Sequence, residues 1–251
     1  PHAWIGRNGE SRIMSEARGG TENETNRWGE LRFAFLLAAL LLLLLFYPFH
    51  DGTRIANLLF ATVNLVILVA GVFAASRSRR TLLLALILAL PTLVLQWTFL
   101  ITRDPLVGNL LYFIIFLFYA FTISQILSEV LRPGTVTQDN ICGAIAAYIL
   151  TAIAWAALYG LVDNLVPGSF LIYGQSDKVS PMSMQDVLFF SFTTLTSTGY
   201  GDILPVSRHA QSLAMLEQMA GVFYVAILIA RLAGLYQPRA LRHHRRDDPE
   251  P

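Results

Sequence analysis

Six apolar stretches divide this sequence, at 33–49, 55–75, 82–101, 106–131, 141–165 and 210–235. Each comes close to or exceeds the roughly 20 residues that cross about 30 Å of hydrocarbon at 1.5 Å per residue. In that medium backbone polar groups have to be bonded within the segment, so each stretch is expected to be a helix. Composition agrees: 55% of residues are hydrophobic and 14% are charged, against about one quarter charged in soluble domains. The expected fold class is all-α integral membrane. Four N-terminal transmembrane helices precede a module of helix, short helix, loop and helix.

Charge placement orients the segments, because Lys and Arg gather on the cytoplasmic side. Arg7, Arg12, Arg18 and Arg27 precede the first stretch, Arg77, Arg79 and Arg80 lie between the second and third, and Arg239, Arg242, Arg245 and Arg246 follow the last. Six crossings with both termini inside put every one of these groups in the cytoplasm. The outward loops then hold Arg54, Arg103 and Lys178. The expected domains are a disordered cytoplasmic tail over 1–30, a four-helix transmembrane region over 31–135, a second membrane module over 136–237 and a basic cytoplasmic tail over 238–251. After residue 235 a short tail remains, so no soluble regulatory domain is expected in this chain.

The fourth stretch, 106–131, contains neither Arg nor Lys. A voltage sensor needs several such charges along that span, since work in the field scales with the charge moved. Polar residues in the spans, among them Asn57, Asn64, Gln96, Asn109, Ser124 and Gln125, are expected to hydrogen-bond between helices. Trp155 and Tyr159 suit an interfacial aromatic belt. Pro91 is expected to kink the third span.

Between the last two long stretches stands Thr194-Leu195-Thr196-Ser197-Thr198-Gly199-Tyr200-Gly201-Asp202. A string of hydroxyls and glycines is a poor membrane span. It makes sense as backbone that replaces water around a bare cation, since filters are built from rings of carbonyls and glycine takes backbone angles closed to other residues. Ahead of it, Ser183 with Asp186 three residues on forms a variant capping box that predicts a short helix over 184–195. The carbonyl end of such a helix carries about half a negative charge and favours a cation.

This string resembles the signature of the tetrameric potassium channels. Ser212 to Glu217 and Leu228 to Leu232 are similar to the inner helix of bacterial members of that pore-loop superfamily with six transmembrane helices. Two positions depart from the family pattern. Val is usual where Thr198 stands, and a Trp pair where Phe189 and Phe190 stand. The resemblance implies a homotetramer in the bacterial inner membrane that passes K⁺ passively, with membrane lipids around it. It needs no cofactor beyond the permeant ion and no nucleic acid.

On that reading the ion-binding residues are Thr196, Ser197, Thr198, Gly199, Tyr200 and Gly201, with K⁺ held by the carbonyls of Thr196 to Tyr200. Thr193, Asp202 and Glu217 support the filter. Asp202 caps its outer end, and Glu217, a costly charge inside an apolar span, hydrogen-bonds to Thr193 or another hydroxyl of the short helix. Gly221 is either a gating hinge or a point of close helix contact. The alternatives are a weakly selective cation channel, which Thr198 keeps open, and a non-conducting regulatory membrane subunit. A membrane enzyme is not expected, because no cluster of His, Cys, Asp and Glu falls within the spans. With one filter string per chain, four chains are needed to enclose an axis.

Overall fold

The computed structural model describes residues 31–49, 54–132, 137–173 and 182–235. The expected tails over 1–30 and 238–251, and positions 174–181 of the outer loop, lie outside the described residues. Among the described residues, seven helices and two short strands follow in order: α1 (Arg32–Phe46), a 3-10 turn (Tyr47–Phe49), α2 (Arg54–Ala75), α3 (Arg79–Thr102), α4 (Pro105–Val130), α5 (Gln138–Leu165), β1 (Phe170–Ile172), α6 (Met184–Leu195), β2 (Ile203–Pro205) and α7 (Arg208–Leu235). The protein is thus an all-α membrane protein in its main elements. Four helices, α3, α4, α5 and α7, are long and apolar enough to cross a membrane among the described residues. α1 is shorter than expected from the first apolar stretch, because Pro48 in the 3-10 turn has no N–H to continue the ladder. Its 15 residues span about 22 Å.

The described chain divides into two compact units between Leu161 and Val162. The division falls within α5. In the first unit α1 packs on α2, α2 on α3 and α4, and α3 on α4. A polar chain crosses this unit. Tyr119 Oη donates to Asn64 Oδ1 at 3.0 Å, Asn64 Nδ2 donates to Gln96 Oε1 at 3.0 Å, and Gln96 Nε2 reaches the Ala61 carbonyl at 3.3 Å. Asn64 and Gln96 therefore make the interhelical bonds expected of them. Tyr119 was not foreseen as a partner, because a tyrosine in an apolar run reads as packing.

α5 is held to this unit at both of its ends. Asp139 Oδ1 accepts the backbone N–H groups of Phe33 (3.1 Å) and Ala34 (3.0 Å), and so caps α1, whose own N-cap position, Leu31, supplies no side-chain bond. Arg32 pairs with Glu129 beside it, and Arg77 reaches the same carboxylate at 3.7 Å. The ring of Phe33 seats on Gly143 and that of Tyr112 on Gly160, where an added Cβ would lie 2.8 and 2.7 Å from ring carbons. Tyr159 is fully buried, against its expected place in an interfacial belt. Its ring lies 6.4 Å from that of half-buried Trp155. Pro91 sits within α3 without ending it.

In the second unit α6 packs on α7, and β1 pairs antiparallel with β2, which packs on α7.

Candidate functional site

α6 begins with a complete capping box. Ser183 Oγ accepts the Asp186 N–H at 3.2 Å, and Asp186 Oδ2 accepts the Ser183 N–H at 2.9 Å and its hydroxyl at 2.7 Å. The helix buries Val187, Leu188, Phe190, Ser191, Thr193, Thr194 and Leu195, so its carboxyl end is fixed by packing. The chain that leaves this end turns back on it. The N–H of Thr196 goes to the Phe192 carbonyl at 3.1 Å and that of Ser197 to Thr194 at 2.9 Å. The N–H groups of Thr198 and Gly199 both go to the Thr193 carbonyl, at 2.8 and 3.1 Å.

These four bonds set the direction of the carbonyls. All peptides here are trans, and in a trans unit the C=O of one residue points opposite to the N–H of the next. With the amides of Ser197, Thr198 and Gly199 aimed at α6, the carbonyls of Thr196, Ser197 and Thr198 face away from it. Among the described residues, no hydrogen bond is donated to a carbonyl from Thr196 to Gly201. These residues are all exposed.

The backbone hand alternates along the same segment. Ser197, Gly199 and Gly201 have φ of +56, +53 and +83°, while Thr196 has φ −81°. Successive residues of opposite hand turn successive N–H groups to one side, which leaves the carbonyls on the other. Glycine adopts positive φ without cost. Ser197 has no branch at Cβ, and it stands where a β-branched residue would be a strong outlier.

The Thr193 carbonyl takes the amides of Thr198 and Gly199, while the Thr193 hydroxyl donates to Phe190 O at 3.0 Å. Asp202 is anchored through its carbonyl, bonded by the Tyr173 N–H at 2.8 Å. Its carboxylate is exposed and, among the described residues, makes no hydrogen bond. Glu217 is wholly buried and Oε1 accepts the Ser191 hydroxyl at 2.5 Å. The partner is therefore Ser191 and not Thr193.

At Gly221 an added Cβ would collide with the Leu195 carbonyl oxygen and come within 3.0 Å of its carbon. α7 runs unbroken through this position, so in this conformation Gly221 is a point of close approach. The sequence named Glu217 and Gly221 but missed Ser191 and Leu195. Their signal was the shared spacing: 191 and 195 lie four apart on α6, and 217 and 221 four apart on α7, so each pair occupies one helix face.

The rings add two contacts. Tyr200 stacks on Phe189 with centroids 5.9 Å apart and planes 8° from parallel. Phe190 meets Phe170 edge-on at 5.3 Å. Thr196 and Thr198 join through their hydroxyls at 2.9 Å, and Thr196 Oγ1 also donates to Phe192 O at 2.8 Å.

Residues 144–237 match the model of a family described as "Ion channel". This part of the chain is therefore similar to ion-channel sequences. The chain is also similar to the inward rectifier potassium channel Kirbac3.1 of Paramagnetospirillum magnetotacticum, with 31% identity over 78 residues. That stretch is 31% of this chain and 22% of the relative, so the chain spans about a fifth of that relative's length. Both matches are to ion channels and neither is to an enzyme.

Proposed function

We propose that this protein is a potassium-selective channel in which four copies surround one conduction axis. The observation that carries the reading is the peptide geometry at 196–199. Four amides are consumed by the end of α6, while the carbonyls of Thr196, Ser197 and Thr198 are turned the other way without a donor. Such carbonyls replace the hydration shell of a cation, and neighbouring ions that repel one another keep it moving. Thr196, Ser197, Thr198, Gly199, Tyr200 and Gly201 form the filter, and K⁺ is held by the carbonyls of Thr196 to Tyr200. One chain contributes one such segment, so cyclic symmetry of four closes the ring, as the resemblance to the tetrameric channels implies.

Thr193, Glu217 and Gly221 support the filter from behind. The negative end of α6 adds to the attraction for a cation on the axis. The chain crosses the bilayer six times with both termini cytoplasmic, and 136–237 is the pore domain. Arg208 at the start of α7 adds a further positive group to the outward side, beside Arg54, Arg103 and Lys178. The larger cytoplasmic set still decides the orientation.

The test is uptake of K⁺ by liposomes that contain the purified protein, with Gly199→Asp as the non-conducting control and the mass of the solubilised assembly as the stoichiometry. Flux that Na⁺ does not support, lost in the control, from an assembly of four chains, is the expected result. Equal Na⁺ and K⁺ flux instead selects the weakly selective cation channel.

A further inference from the structure

The inner end of the filter segment is held by four hydrogen bonds to α6, but its outer end has no such support. Among the described residues, an added Cβ at Gly199 or Gly201 meets nothing within 4 Å. Tyr200 is 72% exposed and touches Phe189 on one face. The Asp202 carboxylate is exposed. What the chain offers at this end is backbone: the Asp202 carbonyl takes the Tyr173 N–H at 2.8 Å.

That bond is the first rung of a ladder. Ile172 faces Ile203, Leu171 faces Leu204 and Phe170 faces Pro205. At the far end the Ser169 carbonyl takes the N–H groups of Val206 and Ser207, at 2.9 and 3.3 Å. The alternation of an antiparallel ladder then makes Leu171 and Leu204 the hydrogen-bonded pair between these ends, and Ile172 and Ile203 a non-hydrogen-bonded pair.

β1 is itself anchored. Ser169 is fully buried, and its hydroxyl donates to Val166 O at 2.6 Å. Phe170 sits edge-on to Phe190 of α6. The stretch leading into α6 is tied down in turn, because the Met182 N–H donates at 2.6 Å to the buried Asp163.

We infer that β1 is a strut for the outer end of the filter, and that Ser169, Phe170, Leu171 and Tyr173 are positioning residues for conduction although none belongs to the filter string. The inference rests on the proposed channel function and deepens it. Two strands of three residues are marginal by themselves, so the ladder opens more readily than the helices around it. The filter exit is then free to leave its conducting geometry while its inner end stays on α6.

Hydrogen–deuterium exchange on the full chain in lipid nanodiscs tests this without requiring current. Leu171→Pro removes the central donor and is expected to speed exchange over 196–206 about tenfold, the factor carried by one to two net hydrogen bonds, with α6 unchanged. In a Cys142→Ala background, Ile172→Cys with Ile203→Cys places cysteines within disulfide reach. Oxidation is expected to slow exchange over 196–206, and dithiothreitol to reverse it. This pair keeps the test open should Leu171→Pro fail to fold. Exchange over 196–206 that ignores both the break and the lock overturns the strut. Wild-type selectivity, read separately from the reversal potential, separates the two readings. A ladder-dependent filter exit in a non-selective wild type overturns potassium selectivity and leaves the strut standing.

Discussion

Glu217 and Ser191 share a 2.5 Å hydrogen bond with no part of either residue exposed. One turn further along both helices, Gly221 lies against the Leu195 carbonyl. α7 thus grips the back of the short helix at two points, one polar and one steric. The carbonyls that take the amides of Thr196 to Gly199, from Phe192 to Thr194, lie between them in sequence.

The polar point is measurable as a coupling energy. Glu217→Ala and Ser191→Ala are each expected to destabilise the solubilised assembly by about 1–3 kcal/mol, the cost of leaving a buried partner unsatisfied. Because both remove the same bond, the double mutant should lose clearly less than the sum. Glu217→Gln keeps an acceptor and should recover part of the loss. Denaturant or thermal unfolding of the four proteins checks this, and additive losses would show the pair to be uncoupled.

The steric point gives a prediction of sign. If Gly221 only bent the helix, Ala there would stabilise the resting protein by up to about 1 kcal/mol through helix propensity. The contact with Leu195 predicts the reverse. Gly221→Ala forces α7 from α6 and should cost about 1–3 kcal/mol, with filter function lost as the helix end shifts. A lower melting temperature supports the contact, and a higher one supports a pure hinge.

In the first unit, Asp139 caps a helix that is not its own. Asp139→Ala should cost about 1 kcal/mol, as loss of an N-cap does, and should loosen residues 32–36 in hydrogen exchange. Asp139→Asn retains the accepting oxygen and should lose far less. Protection at the start of α1 that survives Asp139→Ala would contradict the cap.

The helices were legible because apolar length is a direct signal, and the loop from Thr196 to Gly201 stood out because its residue types are unusual in a membrane. The capping box of α6 was legible from Ser183 and Asp186, since both partners lie within one turn. Partners distant in sequence were not legible. Glu217 announced that it needed one, but several hydroxyls were equally available and only packing selects Ser191. Asp139 lies just ahead of the fifth apolar stretch, and nothing local shows that it serves α1. The β1–β2 ladder was missed because each strand has three residues, too few for an alternating pattern. The carbonyl of Thr193 was missed because backbone acceptors are identical at every position, and the sequence drew attention to its hydroxyl.

Tyr119→Phe should cost well under the full value of a buried bond. Membrane hydrogen bonds between side chains average about 0.6 kcal/mol, and Asn64 keeps Gln96 as a partner. A loss of that size in thermal unfolding, with channel function intact, is the expected outcome. Loss of conduction would show that the polar chain of the first unit reaches the pore.

The reversal potential of the purified protein in a planar bilayer, with KCl on one side and NaCl on the other, tests the central claim most directly. A value close to the potassium limit is predicted if the carbonyls of Thr196 to Tyr200 are the selective sites, as proposed. A value near zero with clear current would contradict it. The segment from Thr196 to Gly201 would then pass cations without choosing between them.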